Sequence, residues 1–235
     1  MPVFRLSHRI EFPPAYLARP DGLLAVGGDL CTERLLLAYS QGIFPWYSWD
    51  EPVLWWSPDP RLVLFPSEIR VSRSLAKLMR KKPFRITLDT AFENVIRTCA
   101  EIRIDNDQGT WINPKMIEAY CQLQKDGFAH SVEVWSQDRL VGGLYGVSLG
   151  RSFFGESMFS FEDNASKVAL ATLNACLNKH DFVMIDCQVK TDHLMRLGAR
   201  EIVRDEFLSH LQSSLQYPTL KGPWTFDQDG GIQVL

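Results

Sequence analysis

Polar side chains stand inside two apolar, strand-like runs of this 235-residue chain. Gly155-Glu156-Ser157-Met158-Phe159-Ser160 places a carboxylate among large apolar residues, and Ile185-Asp186-Cys187-Gln188 ends a second run with a carboxylate and an amide. Burying an unpaired carboxylate costs roughly several kcal/mol, so packing alone does not explain Glu156, Asp186 or Gln188. Three such groups point to a pocket for a charged, polar substrate. Strand alternation predicts Asp186 and Gln188 on one face, ~7 Å apart at their roots. A carboxylate that attracts a proton beside an amide that orients a substrate could then do acid–base work. The alternative is a strand end whose carboxylate satisfies a loop amide. The same alternation puts Glu156 on the face of Phe154 and Met158, with Phe153, Gly155, Ser157 and Phe159 opposite. Glu156 is then either ion-paired to a core arginine or aimed at a cationic ligand. Gly155 beside it permits close approach of a backbone or ligand.

A second grouping suits a polyanion. No acid falls between Glu68 and Asp89, yet Arg70, Arg73, Lys77, Arg80, Lys81, Lys82 and Arg85 do. Arg73, Lys77, Arg80 and Lys81 recur at helical spacing on one face, with Leu75, Leu78 and Met79 on another. A solvated face normally mixes signs. This one reads as a polyanion-binding helix, against the alternative of surface charge with no partner. Its apolar side is too short to lie on a membrane. Trp46, Trp49, Trp55, Trp56 and Trp111 are many for this length, and most tryptophans fill cores. Trp46 follows Pro45, however, and Trp111 lies between Gly109-Thr110 and Asn113-Pro114. Loop-borne rings beside a basic patch can stack the bases of a single-stranded RNA end, for roughly 1–3 kcal/mol per base.

Composition narrows the class. The chain carries 25 basic and 28 acidic residues, a formal charge of −3, and 46% hydrophobic residues. That is the profile of a globular protein able to bury a sizeable core. No apolar run approaches the ~20 residues of a membrane span, and the first dozen residues lack the apolar stretch of a secretory signal. Cys31, Cys99, Cys121, Cys176 and Cys187 are scattered without metal-ligand spacing, and the histidines form no HxH or HxxxH pair. The expectation is reduced thiols in a cytoplasmic protein with no metal.

These groups need a scaffold. Residues 1–60 are rich in proline and glycine and contain one clear helix, over 32–41, with Thr32 as its cap and Gly42 as its stop. They read as a small N-terminal domain. From Arg61 the texture changes. A strand at 62–65 precedes the basic helix, which Ser72 caps and Pro83 ends. A strand at 84–88, a helix at 91–99 and a helix opened by Asn113-Pro114 follow. Next come a meander over 130–135, 140–148 and 152–159, a long helix over 164–178 and a strand over 182–189. A short helix at 192–197, a strand at 199–203 and a helix at 206–215 complete the order. Mixed blocks with antiparallel hairpins predict an α+β fold, with residues 61–235 as the larger domain and a loosely ordered tail from about 222.

Seven ordered segments closely resemble the leucyl/phenylalanyl-tRNA–protein transferases of bacteria: 21–30, Gly42-Ile43-Phe44-Pro45-Trp46, 55–61, Gly109-Thr110-Trp111-Ile112, 130–135, 155–160 and 185–188. The resemblance spans about 6–211. It implies transfer of Leu, Phe or Met from an aminoacyl-tRNA to the N-terminal Arg or Lys of a protein, marking it for degradation. It also implies an acetyltransferase-like (GNAT) fold for the larger domain. By position, Trp46 and Trp111 would sandwich the 3′-terminal adenine, and Arg73, Lys77, Arg80 and Lys81 would hold the acceptor stem. Leu144, Phe153, Leu170, Leu173 and Leu177 would line the donor side-chain pocket. Some of these helix positions are Phe in such enzymes, and one strand position is Met. Here they are Leu173, Leu177 and Leu144.

The chemistry is consistent with that reaction. An aminoacyl ester is already activated, so no cofactor, ATP or metal is required. The nucleophile is an α-amine of pKa ~7.7–8.0 that must shed a proton while held against the ester. Asp186 would attract the ammonium, Gln188 would orient it, and Glu156 would pair with the acceptor's cation. A monomer suffices. Two rivals remain: an acetyl-CoA-dependent GNAT acetyltransferase, for which Arg139-Leu140-Val141-Gly142-Gly143 is the nearest pyrophosphate loop, and a non-catalytic RNA-binding module.

Overall fold

Prolines and glycines keep the N-terminal strands short. The computed structural model describes residues 3–105 and 111–235, so Gly109-Thr110 lies outside the described residues. Strands β1 (Phe4–Leu6), β2 (Leu23–Gly27), β3 (Phe44–Pro45) and β4 (Leu54–Trp56) form a sheet of order β1-β2-β4-β3. Helix α1 (Thr32–Ser40) lies between β2 and β3. Thr32 is not its cap, as the sequence suggested. Cys31 occupies the flanking position without a side-chain bond. The Thr32 hydroxyl instead donates to Asp126 Oδ2 at 2.7 Å, tying α1 to residues far along the chain. Gly42, at φ +73°, takes the left-handed turn that follows α1.

The remaining elements are β5 (Arg61–Leu64), α2 (Arg73–Lys81), β6 (Arg85–Leu88), α3 (Phe92–Asp105), α4 (Pro114–Lys125), β7 (Ala129–Ser136), β8 (Arg139–Leu149) and β9 (Ser152–Ser160). Then come α5 (Ala165–Lys179), β10 (Met184–Gln188), α6 (Asp192–Arg196), β11 (Arg200–Ile202), α7 (Arg204–Ser214), β12 (Trp224–Phe226) and β13 (Ile232–Val234). Local chemistry sets several boundaries. Ser72 Oγ accepts the Leu75 N–H at 3.2 Å to start α2, and Asn113 Oδ1 accepts the Met116 N–H at 3.1 Å to start α4, with Pro114 in its first turn.

Seven strands form one mixed sheet of order β11-β5-β10-β9-β8-β7-β6. Strands β9 and β10 run parallel, and every other neighbouring pair in it is antiparallel. The fold is therefore α+β, with a small sheet packed beside a larger mixed one. One core, containing Tyr39, Trp55, Phe92, Tyr120, Phe154 and Phe207, joins α1 and the small sheet to α3, α4, α7 and one face of the large sheet. The other face of the large sheet carries α5 over Leu62, Leu64, Leu144, Phe153 and Ile185. Among the described residues, no helix is long and apolar enough to cross a membrane.

The tail corrects the expectation of loose order beyond residue 222. Strands β12 and β13 pair as a hairpin. Trp224 is only 1% exposed and stacks on His130, with ring centroids 3.6 Å apart and planes 8° apart. Asp89 Oδ2 accepts the Trp224 backbone N–H at 2.7 Å and lies 2.8 Å from His130 Nδ1. A buried indole with its own hydrogen bonds outweighs the polar composition around it. We predict that Trp224→Ala lowers unfolding free energy by about 3–5 kcal/mol, measured in urea. A loss under about 1 kcal/mol would mean that the hairpin contributes little.

Candidate active site

The parallel ladder between β9 and β10 runs Met184↔Ser152, Ile185↔Phe153, Asp186↔Phe154 and then stops. Strand β9 continues, still paired to β8, as far as Ser160. Where the two strands part lies a cavity of about 790 Å³. Gly155, Glu156, Ser157 and Met158 line it from β9, Ile185, Cys187 and Gln188 from β10, Phe44, Leu54 and Trp56 from the small sheet, and Trp46 from just beyond β3.

Two bulges flank the parting and overturn the simple alternation read from sequence. On β9, Tyr145 pairs with Ser157 but Gly146 pairs with Gly155, leaving Glu156 as the extra residue. Gly146 is required there, since a Cβ would fall 2.2 Å from Phe154 O. Beyond the bulge the parity reverses: Phe153 and Met158 belong with the α5 face, and Phe154 with the other. Glu156 thus does not share a face with Met158. On β10, Asp186 pairs with Val63 and Gln188 with Leu62. Neighbours on an antiparallel ladder share a face, and Val63 and Leu62 sit in opposite cores. Asp186 and Gln188 therefore face opposite sides, because Cys187 is inserted and Gln188 turns to φ +56°.

Asp186 is wholly buried and does not line the cavity. Its Oδ1 accepts Arg61 Nε–H at 2.8 Å and its Oδ2 accepts Nη2–H at 2.7 Å, a bidentate pair. The Arg61 guanidinium is sandwiched between Phe44 at 4.7 Å and Phe207 at 4.6 Å. Asp186 Oδ1 also accepts the Gln188 backbone N–H at 3.0 Å. The expectation of a free Asp186 carboxylate presented beside Gln188 is corrected: the carboxylate is spent on Arg61 and on holding the turn that aims Gln188. The Gln188 side chain lines the cavity, and its Nε2 is buried with no protein partner among the described residues.

Glu156 is the carboxyl that does line the cavity. Its Oε1 accepts Tyr39 O–H at 2.7 Å and its Oε2 accepts Tyr120 O–H at 3.1 Å. The two hydroxyls also meet one another. Burial pushes the carboxyl up to about 7 against the two tyrosine bonds; Asp186 raises it further and Arg61 lowers it. Both tyrosine hydroxyls are raised well above 10, first by burial and then by the Glu156 charge. Those influences place Glu156, Asp186 and Arg61 in one electrostatic neighbourhood. The cluster presents a carboxyl poised near neutrality, able to receive a cation or a proton.

The other predicted residues divide. Trp46, 41% exposed, and Trp111 both line the cavity. Leu144, Phe153, Leu170 and Leu173 form its apolar wall. Leu177 does not: it is fully buried in the α5-face core, deeper than the cavity reaches. Arg73, Lys77, Arg80 and Lys81 are exposed on α2. Gly142 and Gly143 are interior to β8, and a Cβ on Gly142 would lie 2.5 Å from the Ala165 Cβ. Gly142 serves close packing of α5 and Gly143 the close approach of the Val132 carbonyl, rather than a pyrophosphate loop. Sequence reasoning missed Tyr39, Tyr120 and Arg61 as site residues. Both tyrosines carry helical apolar spacing and so read as core; Arg61, at the head of the apolar run 62–65, was the available signal.

An apolar wall joined to a poised carboxyl and a free amide suits the transfer of a carried group to a cationic acceptor. A family model described as leucyl/phenylalanyl-tRNA protein transferase matches residues 63–212, and one for the N-terminal domain of the same family matches 28–59. Similar proteins named leucyl/phenylalanyl-tRNA–protein transferase include those of Desulfatibacillum aliphaticivorans, 58% identical over 99% of this chain and 100% of the relative, and Syntrophobacter fumaroxidans, 59% identical over 92% of each. Among solved structures, an aminoglycoside acetyltransferase from a soil metagenome overlaps at a TM-score of 0.39 and 13% identity, over 49% of this chain and 84% of that one. That overlap is too slight to carry an assignment. The class is an aminoacyltransferase that uses aminoacyl-tRNA and protein. Within it, the chain belongs to the leucyl/phenylalanyl-tRNA protein transferase family.

The Glu156 environment yields a signed prediction. With its pKa raised from 4.5 to about 7, the folded protein holds a proton there that the unfolded chain releases. Stability from this group is full below about 4.5 and is lost as pH rises through about 7. Glu156→Gln removes that loss. Its stability relative to the unaltered protein is expected to rise by about 2 kcal/mol between about pH 5 and about pH 8, read by denaturant unfolding. A difference that stays flat with pH would refute the raised-carboxyl assignment.

Proposed function

We propose that the chain moves Leu, Phe or Met from an aminoacyl-tRNA to the N-terminal Arg or Lys of a protein, marking that protein for degradation. The division of the cavity carries this reading. Its apolar wall of Leu144, Phe153, Leu170 and Leu173 suits an uncharged donor side chain, while Glu156 and Gln188 on the same cavity suit a cationic acceptor. Trp46 and Trp111 stack the 3′-terminal adenine, and the α2 cations hold the acceptor stem. Gln188 hydrogen-bonds the attacking α-amine, and Glu156 pairs with the acceptor's cation. Asp186 acts through Gln188, as a positioning residue. Fixing ester and amine in one cavity supplies most of the rate advantage expected for an already activated acyl group. The acetyltransferase-like (GNAT) architecture belongs to the same reading, supported by the mixed sheet and the parting of β9 from β10. A monomer in the cytoplasm is part of the proposal.

The test is transfer of label from phenylalanyl-tRNA to an Arg-initiated peptide, with an Ala-initiated peptide as control. Unlabelled Arg peptide, with tRNA binding intact, would reduce the protein to a binder. Lys77→Ala with Arg80→Ala is expected to weaken tRNA binding and flatten its salt dependence by a log–log slope of about 1.4–1.8. An unchanged slope would place the stem on another surface.

A further inference from the structure

Helix α6 runs from the cavity wall to the segment that leads into the basic helix. Thr191, His193 and Leu194 contribute to the cavity wall. The other end of α6 is fastened to the segment leading into α2, where Leu197 O accepts the Arg70 N–H at 2.8 Å. Gly198 fits so tightly there that a Cβ would meet Glu68 O at 2.5 Å. Lys167 lies on α5 one turn before the cavity residue Leu170. Its Nζ donates to Asn164 Oδ1 at 3.0 Å. Arg196 is exposed at the end of α6.

The charges of Lys167 and Arg196 both bear on the His193 imidazole. After desolvation by burial, they lower its pKa. Two cations therefore lie within electrostatic reach of an imidazole that lines the cavity. Several nearby acids are already occupied: Glu201 pairs with Lys190 at 2.6 Å, and Glu68 with Arg200 at 3.1 Å. Glu206 pairs with the same arginine at 3.7 Å. Asp192, in the first turn of α6, is the acid left on that element. Among the described residues, no carboxylate forms an ion pair with Arg70, Arg73, Lys167 or Arg196.

We infer that Lys167 and Arg196 form a phosphate-binding step beside His193, which carries the single-stranded 3′ end of an RNA from the basic face of α2 across α6 into the cavity. This rests on the reading of the donor as an aminoacyl-tRNA. Charge complementarity supports it, as does position. A terminal base stacked between Trp46 and Trp111 needs an exit for the phosphates that precede it, and the α6 rim is the one that adjoins the approach to α2. Unpaired cations at that rim match the strand's charge.

The experiment compares two donors on the full chain. Phenylalanyl-tRNA brings the phosphates; phenylalanyl-adenosine brings the ester and base without them. For the double variant Lys167→Gln with Arg196→Gln, kcat/KM for phenylalanyl-tRNA is expected to fall about ten-fold, and the log–log salt slope of tRNA affinity to become shallower by about 1.4. With phenylalanyl-adenosine the fall should stay under about two-fold. Equal losses on both donors, or no loss on either, would overturn the inference while the transferase reading stands. No transfer by the unaltered protein from either donor would overturn that reading and the inference with it. A thermal melt of the variant separates lost contacts from lost folding, and Lys167→Arg, which keeps the charge, should restore most of the single-site loss.

Discussion

A guanidinium sealed inside protein destabilises the fold unless it is paired, and Arg61 draws its pairing from three residues. Asp186 supplies both carboxylate oxygens, and Phe44 and Phe207 supply ring faces. The desolvation of such a pair is repaid only by excellent geometry. Removing either partner would leave an uncompensated charge, at a cost of about 3–5 kcal/mol. The pair therefore fixes the small sheet, α7, β5 and β10 against one another. It also fixes the cavity, because the carboxylate that meets Arg61 accepts the Gln188 backbone N–H and so holds the turn beyond the last ladder pair.

From that constraint the rest of the site follows. Strands β9 and β10 can part because each carries a bulge at the point of separation. One bulge sends Glu156 toward Tyr39 and Tyr120, and the other sends Gln188 into the cavity while Asp186 stays behind it. The two carboxylates end in one electrostatic neighbourhood with different tasks. Asp186 is neutralised by an arginine and is structural. Glu156 has hydroxyls rather than a cation as its hydrogen-bonding partners, so burial dominates and its proton is available near neutral pH.

Much of this was legible in the chain. Polar residues in apolar strands marked Glu156, Asp186 and Gln188, and capping chemistry at Ser72 and Asn113 placed α2 and α4 closely. What failed did so for identifiable reasons. Alternation assumes an unbroken ladder, and a bulge depends on the partner strand, so the facing of Asp186 and of Glu156 was misread. The Arg61 partner lies 125 residues from Asp186, beyond any local signal. Leu177 sits one helical turn past Leu173, a spacing that fits a pocket lining, yet the cavity ends sooner. The tail read as loosely ordered from its polar composition, whereas one buried indole decides its fate.

Glu156 takes one hydroxyl from Tyr39 and one from Tyr120, and the opposite wall waits for Gln188. During synthesis these pieces are made in the order Tyr39, Tyr120, Glu156, Gln188. The candidate site therefore cannot be complete until the chain has been made as far as Gln188, of 235 residues.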